Sequence, residues 1–305
     1  LAPIIMVRLG DDEPFSPEPE IYLDGCEDAF SAGLSLLTCL CGEVRVCTIG
    51  DLNAPSVFPA ALLEKIAFQR FSGPYPSGNP AVQLYHTKTG PEENRAWFID
   101  GQDVVLLGRF IQTGQYPTAR VMTVGGALAP ETDHVRTRAG VPLSALVSGK
   151  IPDTPVLRYI VGGMFTGFTG SSDSFMGFFQ NALALMDAGD REEFLAFIRP
   201  GAKKPSCSSA FLSVFRKTPL PMDCGQHGEV RACVNCGTCA RICPVEILPQ
   251  FTMKCLIADE VEEALAHGLL DCAECGLCTY ACPSKITLRE IFRSAKAKYY
   301  QETAG

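Results

Sequence analysis

The sequence predicts an α/β domain, then a small β-rich module, then a helical C-terminal domain that is rich in cysteine. A strand–helix–strand pattern begins the chain, short strands between glycine turns occupy its middle, and two cysteine runs within helical sequence lie near its end. We expect an α/β domain at 1–115, the β-rich module at 116–175, a helical linker at 176–222 and the cysteine domain at 223–305.

The first elements of the α/β domain are the clearest. The apolar segment 2–9 predicts a strand, and 25–42 has apolar residues at helical spacing, among them Phe30 and Leu34. The segment 43–50 predicts a second strand. Because strand–helix–strand units place their strands in parallel, we expect a parallel sheet.

Later segments of this domain are shorter and less regular. Residues 58–71 predict a helix, 81–86 and 96–100 predict strands, and 101–112 fits either a strand or a helix.

In the middle of the chain, 119–126, 134–140 and 156–167 predict strands, and 142–149 a helix. The following segment, 178–200, predicts a helix.

Composition excludes several classes of protein. The 305 residues carry 26 basic and 34 acidic side chains, a net charge of −8, which argues against a nucleic-acid partner. The chain is 47% hydrophobic and 20% charged, so it can form a core and is not disordered. The sequence contains no run of about 18 apolar residues, so no transmembrane segment is predicted. The chain starts at Leu1 without a signal peptide, so we expect a fragment or a processed form.

Two copies of one cysteine pattern carry the chemistry. "CVNCGTCARICP" begins at Cys233 and "CAECGLCTYACP" at Cys272, and both read C-x-x-C-G-x-C-x-x-x-C-P. This is the ligand run of 4Fe–4S clusters, in which three cysteines bind one cluster and the fourth binds the other. A pair of zinc sites is the alternative, but zinc sites usually pair two C-x-x-C units and do not call for this run. We expect two clusters with crossed ligands: Cys233, Cys236, Cys239 and Cys282 for the first, and Cys272, Cys275, Cys278 and Cys243 for the second.

The other cysteines and two glycine-rich loops give weaker signals. Cys224 lies close enough to the first run to approach a cluster, and "SGPYPSGNP" (72–80) is a surface loop or the border of a ligand cleft. "GGMFTGFTG" (162–170) lacks the order of a phosphate-binding loop and predicts a turn. Six more cysteines are expected to serve packing: Cys26, Cys39, Cys41, Cys47, Cys207 and Cys255.

The chain resembles a known family over nearly its whole length. The α/β start, "FSGPYPSGNP" (71–80), residues 98–146 and "LCTYACPSK" (277–285) resemble NqrA, which is one of the subunits of the sodium-translocating NADH:quinone reductase, Nqr. The segment "LDCAECGLCTYACPSKITL" is similar to RnfC of the related Rnf complex, an ion-pumping ferredoxin:NAD oxidoreductase. The chain looks like a variant with two C-terminal clusters, because NqrA lacks the cysteine runs. From the resemblance we also expect the N-terminal barrel-sandwich region of full-length relatives to be missing from this chain.

The resemblance implies a Rossmann-like α/β domain, a β-grasp module of the soluble-ligand-binding (SLBB-like) type and an α-helical ferredoxin domain. It implies a peripheral subunit on the cytoplasmic face of a membrane redox pump, with the other subunits as partners. Quinone or ferredoxin are further possible partners, and quinone, FMN or NADH possible ligands, without residues assigned to them.

The expected function is relay of single electrons through the two clusters. One alternative is a flavin-dependent NADH dehydrogenase or electron-bifurcating subunit that takes hydride itself, although no glycine-rich flavin loop is found. The other is a docking subunit with structural clusters. No Ser-His-Asp or paired-carboxylate site is recognisable, so no catalytic residue is assigned.

Overall fold

The computed structural model describes residues 3–50, 64–148, 157–189, 201–202, 212–215, 217–218, 222–225 and 229–303. The strands in these residues are β1 Ile4–Leu9, β2 Glu43–Ile49, β3 Ile66–Phe71, β4 Trp97–Asp100, β5 Ala119–Gly125, β6 Asp133–Arg138, β7 Leu157–Val161, β8 Phe168–Gly170 and β9 Ala182–Asp187. The α-helices are Pro19–Leu23, Glu27–Leu40, Pro80–Thr87, Gly101–Thr113, Leu143–Val147, Thr238–Arg241, Pro249–Ile257, Val261–Ala266, Leu277–Tyr280 and Leu288–Thr303. Short 3-10 helices occupy Pro91–Arg95 and Leu212–Phe215.

The first sheet is parallel and has the order β3-β2-β1-β4. Its inner strand β1 pairs with β2 and β4, so that Ile5 lies opposite both Val44 and Trp97. The predicted strand–helix–strand unit and its parallel sheet are therefore confirmed.

Helices cover both faces of this sheet, so successive side chains of β1 are buried on opposite sides of it. Val7 packs with the helices 27–40 and 101–113, whereas Met6 belongs to a second cluster that includes Leu84 of the helix 80–87. A Cβ at Gly108 would overlap the backbone of the helix 27–40 at the Ala29 carbonyl, so glycine permits the close packing of these helices.

The second sheet is mixed and has the order β6-β5-β9-β7-β8. Its third strand, β9, runs parallel to β5 and antiparallel to β7. The core under this sheet includes Met122, Leu143, Tyr159, Leu183 and Leu185.

Three predicted elements are wrong. Residues 66–71 form β3 instead of the end of a helix, while the start of that predicted helix, 51–63, lies outside the described residues. The predicted strand 81–86 is helical, because Asn79 caps the Ala81 N–H and Pro80 opens the first turn.

The third error lies in the predicted helix 178–200 and hence in the helical linker 176–222. Residues 182–187 form β9, whose run of apolar side chains is buried on both faces of the second sheet. The second module therefore continues beyond the predicted boundary at 175. Residues 190–200 lie outside the described part of the chain.

The C-terminal part is helical as predicted, and its core contains Met253, Leu269, Leu288 and Phe292. It packs against the first domain through the helix 80–87, whose Val82 clusters with Val245 and Ile247. Because Val245 follows the first cysteine run by one residue, this helix lies beside the candidate site.

Candidate metal centre

The two cysteine runs adopt the same backbone conformation. Each has a glycine with positive φ, Gly237 at 70° and Gly276 at 81°, which directly precedes a four-residue helix. Four further residues have positive φ at equivalent places, Asn235 and Glu274 within the two runs and Glu246 and Lys285 just after them. The sequence repeat is therefore also a structural repeat.

The four cysteines predicted for the second cluster line one pocket. Cys243 comes from the first run, and Cys272, Cys275 and Cys278 come from the second. Arg289 and Phe292 of the C-terminal helix also line this pocket. The fold thus brings the fourth cysteine of one run to the first three of the other.

The electrostatics of this pocket fit a metal cluster. Burial, with the negative charges of neighbouring cysteines as a further cause, raises the pKa of Cys275 to about 11 and that of Cys278 to about 12. Burial also raises the pKa of Cys272. Four thiolates held this close would repel one another unless a cation lay between them, and iron replaces the thiol protons in such a site.

The cysteines predicted for the first cluster are less enclosed. Cys239 is buried and its thiol donates to Gln250 Oε1 at 3.2 Å, whereas Cys236 is exposed. A hydrogen bond to Thr238 lowers the pKa of Cys236.

Two hydrogen bonds join the two ends of the first set. The Arg231 N–H donates to the Ser284 carbonyl at 2.9 Å, and the Ser284 hydroxyl donates to the Ala232 carbonyl at 2.9 Å. Cys233 directly follows Ala232, and Cys282 lies two residues before Ser284. The end of the second run is therefore held beside the start of the first.

Within the described residues, no three His, Cys, Asp or Glu side chains converge on a point that could hold a single metal ion. A cubane cluster does not call for such convergence, because each thiolate binds its own iron at a separate corner. The separated sulfurs are compatible with a cluster.

A buried carboxylate joins all three parts of the fold beside the second run. Glu13 accepts from the Phe165 N–H at 3.1 Å and from the Thr166 hydroxyl at 2.6 Å, and its Oε1 lies 3.2 Å from the Tyr75 hydroxyl. That hydroxyl donates to the Cys275 carbonyl at 2.6 Å. Burial, reinforced by the charge of Glu13, raises the pKa of Tyr75.

Two basic side chains also support the turn of the second run. Arg289 donates through Nε to the Glu274 carbonyl at 2.9 Å and through a terminal nitrogen to the Thr166 carbonyl at 2.6 Å. Lys296 donates to the Cys272 carbonyl at 2.9 Å and pairs with the Glu274 carboxylate at 3.0 Å. These contacts fix the loop that carries three of the pocket cysteines.

Sequence reasoning missed Glu13, Arg289 and Lys296, and it gave too little weight to Tyr75. The loop 72–80 contacts the cysteine domain through Tyr75 and Asn79, so it is not a surface loop throughout. The one feature of the sequence that could have indicated this contact is the aromatic residue among the glycines and prolines of the loop.

The remaining cysteines fall into several environments. Cys26 and Cys47 are buried, as expected of packing residues, while Cys39 is exposed. The Cys224 N–H donates to the Asp187 carbonyl, so Cys224 lies beside β9. The positive charge of Arg158 acts on the Cys224 thiol. Cys41 and Cys255 are half-buried, and Cys207 lies outside the described residues.

Comparison with known proteins identifies the cysteine domain first. Residues 232–286 match the family described as 4Fe-4S dicluster domain, so the chain is an iron–sulfur protein whose clusters lie in a helical domain. Residues 2–116 match the NqrA second alpha/beta domain.

The whole chain belongs to the NqrA family of the Na(+)-translocating NADH-quinone reductase. It is 31% identical to NqrA of Psychromonas ingrahamii over 303 residues, which are 98% of this chain and 67% of that protein. It is 30% identical to NqrA of Rhodopirellula baltica over 296 residues, 95% of this chain and 64% of that protein. The chain thus spans about two thirds of the length of these relatives.

Among solved structures, an NAD+-reducing [NiFe]-hydrogenase in the H2-reduced state matches 61% of this chain and 41% of its own, with a TM-score of 0.46 and 12% identity. Nothing about ligands or activity follows from so remote a likeness. None of the described helices is long and apolar enough to cross a membrane.

Proposed function

We propose that the chain is an electron-transfer subunit of a membrane-associated NADH:quinone oxidoreductase related to Nqr. The observation that carries the proposal is the pocket in which Cys243 of the first run meets Cys272, Cys275 and Cys278 of the second. Membership of the NqrA family and the match to a dicluster domain support the same function.

Eight cysteines would hold two 4Fe–4S clusters in crossed sets. The first set is Cys233, Cys236, Cys239 and Cys282, and the second is Cys272, Cys275, Cys278 and Cys243. When bound, such clusters supply one-electron redox chemistry with little change in structure.

The residues around the second set would keep its loop rigid and limit the access of water. Tyr75 and Arg289 donate to the carbonyls of Cys275 and Glu274, and the helix 80–87 packs against Val245. The first set would lie nearer to solvent, because it includes the exposed Cys236, whereas all four cysteines of the second set are buried or half-buried. This asymmetry suits a relay that has one accessible and one enclosed end.

The finer assignments follow the family. The parallel sheet with helices on both faces supports a Rossmann-like first domain, and the small mixed sheet with one helix supports an SLBB-like module. The partners would be the other subunits of the complex, with quinone or ferredoxin at its ends, and the location would be the cytoplasmic face of the membrane. No residue is assigned to quinone, FMN or NADH.

Anaerobic iron and sulfide analysis with electron paramagnetic resonance (EPR) tests the proposal. We expect about eight irons and eight sulfides per chain in two reducible clusters. Cys275→Ala should lose one cluster, and Cys255→Ala, which changes a half-buried cysteine outside both sets, should keep both. A wild-type chain with well under two cubane clusters, or equal losses in both variants, would overturn the proposal.

A further inference from the structure

Two buried side chains at equivalent positions of the repeat differ in charge. Gln250 lies seven residues after Cys243, and Arg289 lies seven residues after Cys282. Each lies in the first turn of the helix that follows its own cysteine run. Their exposed fractions are 8% and 9%. The repeat therefore places a neutral amide at one cluster site and a guanidinium at the other.

Each of these side chains contacts the run that precedes its helix. Gln250 accepts from the Cys239 thiol at 3.2 Å. Arg289 lines the pocket of the second set and donates to the carbonyl of Glu274, the residue before Cys275. The two positions thus correspond in contact as well as in sequence.

Other charges near the second set largely compensate one another. Lys296 pairs with the Glu274 carboxylate at 3.0 Å, so this lysine and this glutamate cancel. Glu290 lies 3.2 Å from Arg289, but its side chain is 58% exposed against 11% for Arg289, so water screens the carboxylate more than the guanidinium. Glu13 is also buried near the second run, but the Tyr75 hydroxyl lies between its carboxylate and the Cys275 carbonyl. Arg289 is therefore the one cation among the described residues that line the pocket.

A buried cation changes the ease of reduction of a nearby cluster. Reduction adds one negative charge to the site, which burial disfavours and a cation favours. The second set is the more enclosed one, so burial alone would make its cluster the harder of the two to reduce. Arg289 acts in the opposite direction.

We propose that Arg289 sets the reduction potential of the second cluster, raising it above the value that burial alone would give. Gln250 leaves the first cluster without this contribution. The inference rests on the proposed function, because it requires both clusters to be present. Arg289 acts through its charge on the pocket and is a positioning residue, not a catalytic one.

The test is an anaerobic redox titration of the full chain, monitored by EPR. Arg289→Gln gives the second site the neutral amide that Gln250 provides at the first. Arg289→Lys keeps the positive charge but loses the forked geometry of the guanidinium. In Arg289→Gln we expect the midpoint of one cluster to become more negative by about 59 mV, a tenfold change in its ratio of reduced to oxidised forms. The other midpoint should not move, and Arg289→Lys should shift by less than half as much.

The outcomes separate this inference from the proposed function. A wild-type chain without two reducible clusters refutes both. A two-cluster wild type in which Arg289→Gln leaves both midpoints unchanged, or in which Arg289→Lys shifts as far as Arg289→Gln, refutes the electrostatic role alone.

The reciprocal variant decides the case in which Arg289→Gln loses its cluster. Gln250→Arg places a cation beside Cys239, so the midpoint of the first cluster should rise. An unchanged or lower midpoint in this variant would refute the inference.

Discussion

The equivalent glycines of the two runs provide a matched test of how the cysteine domain docks onto the β-rich module. Both have left-handed backbone, so alanine at either position costs roughly 1–2 kcal/mol. Their surroundings differ. A Cβ at Gly237 would meet nothing within 4 Å, whereas one at Gly276 would lie 2.6 Å from the Phe165 carbonyl oxygen.

That oxygen cannot move away freely. The Phe165 N–H is held by Glu13, and the next carbonyl, that of Thr166, accepts from Arg289. Relief of the overlap would disturb these bonds, and such overpacking typically costs about 1–3 kcal/mol more. We therefore expect Gly237→Ala to lower the free energy of unfolding by ~1–2 kcal/mol, and Gly276→Ala to lower it by ~2–5 kcal/mol.

Urea titration under anaerobic conditions, followed by circular dichroism and by the visible absorbance of the clusters, measures both losses. Gly276→Ala should also release cluster absorbance at a lower urea concentration than Gly237→Ala. Equal losses in the two variants, or a larger loss in Gly237→Ala, would refute the close contact between the second run and the β-rich module.

Three further outcomes are expected. In the same titration, Tyr75→Phe should lower the free energy of unfolding by about 1–3 kcal/mol, because the Cys275 carbonyl loses its hydrogen-bond donor. The control Tyr85→Phe should lower it by less than about 1 kcal/mol, because the Tyr85 hydroxyl lies 3.3 Å from an exposed carboxylate. Removal of iron by a chelator should abolish hydrogen-exchange protection mainly in residues 229–303. That domain loses its clusters, while the parallel sheet keeps its own core. A uniform loss of protection across the chain would contradict this expectation. Labelling of the native protein's thiols at pH 8 should modify the exposed Cys39 and spare Cys47. Burial raises the pKa of Cys47 to about 12, so its thiol stays neutral at this pH. Faster labelling of Cys47 than of Cys39 would contradict the packing.

The sequence predicted strands well where a short apolar segment was bounded by turn residues. The apolar segments around Val7 and Val46 have turn signals at their ends and form parallel strands as expected. The prediction of a strand at 81–86 was wrong because a short run of mixed residues fits a strand or a helix equally well. The cap at Asn79 favours the helix. The segment 182–187 failed because a strand buried on both faces loses the alternation that normally marks a strand.

For the candidate site, too, the sequence predicted some residues and not others. The cysteine spacing alone predicted which fourth cysteine would meet which three, and the pocket contains that combination for the second set. The supporting residues Glu13 and Arg289 could not be found in this way. Glu13 lies in a loop far from the cysteines in sequence, and Arg289 lies on a helix that carries several other cations. Their positions depend on how three parts of the chain pack together.

The crossed assignment of ligands is tested most directly by the EPR spectrum that remains after Cys243→Ala. This cysteine belongs to the first run in sequence but lines the pocket of the second. We predict that the remaining cluster has the same spectrum and midpoint as in Cys275→Ala, and differs from that in Cys236→Ala. A remaining spectrum that matches Cys236→Ala instead would show that each run binds its own cluster and would contradict the account.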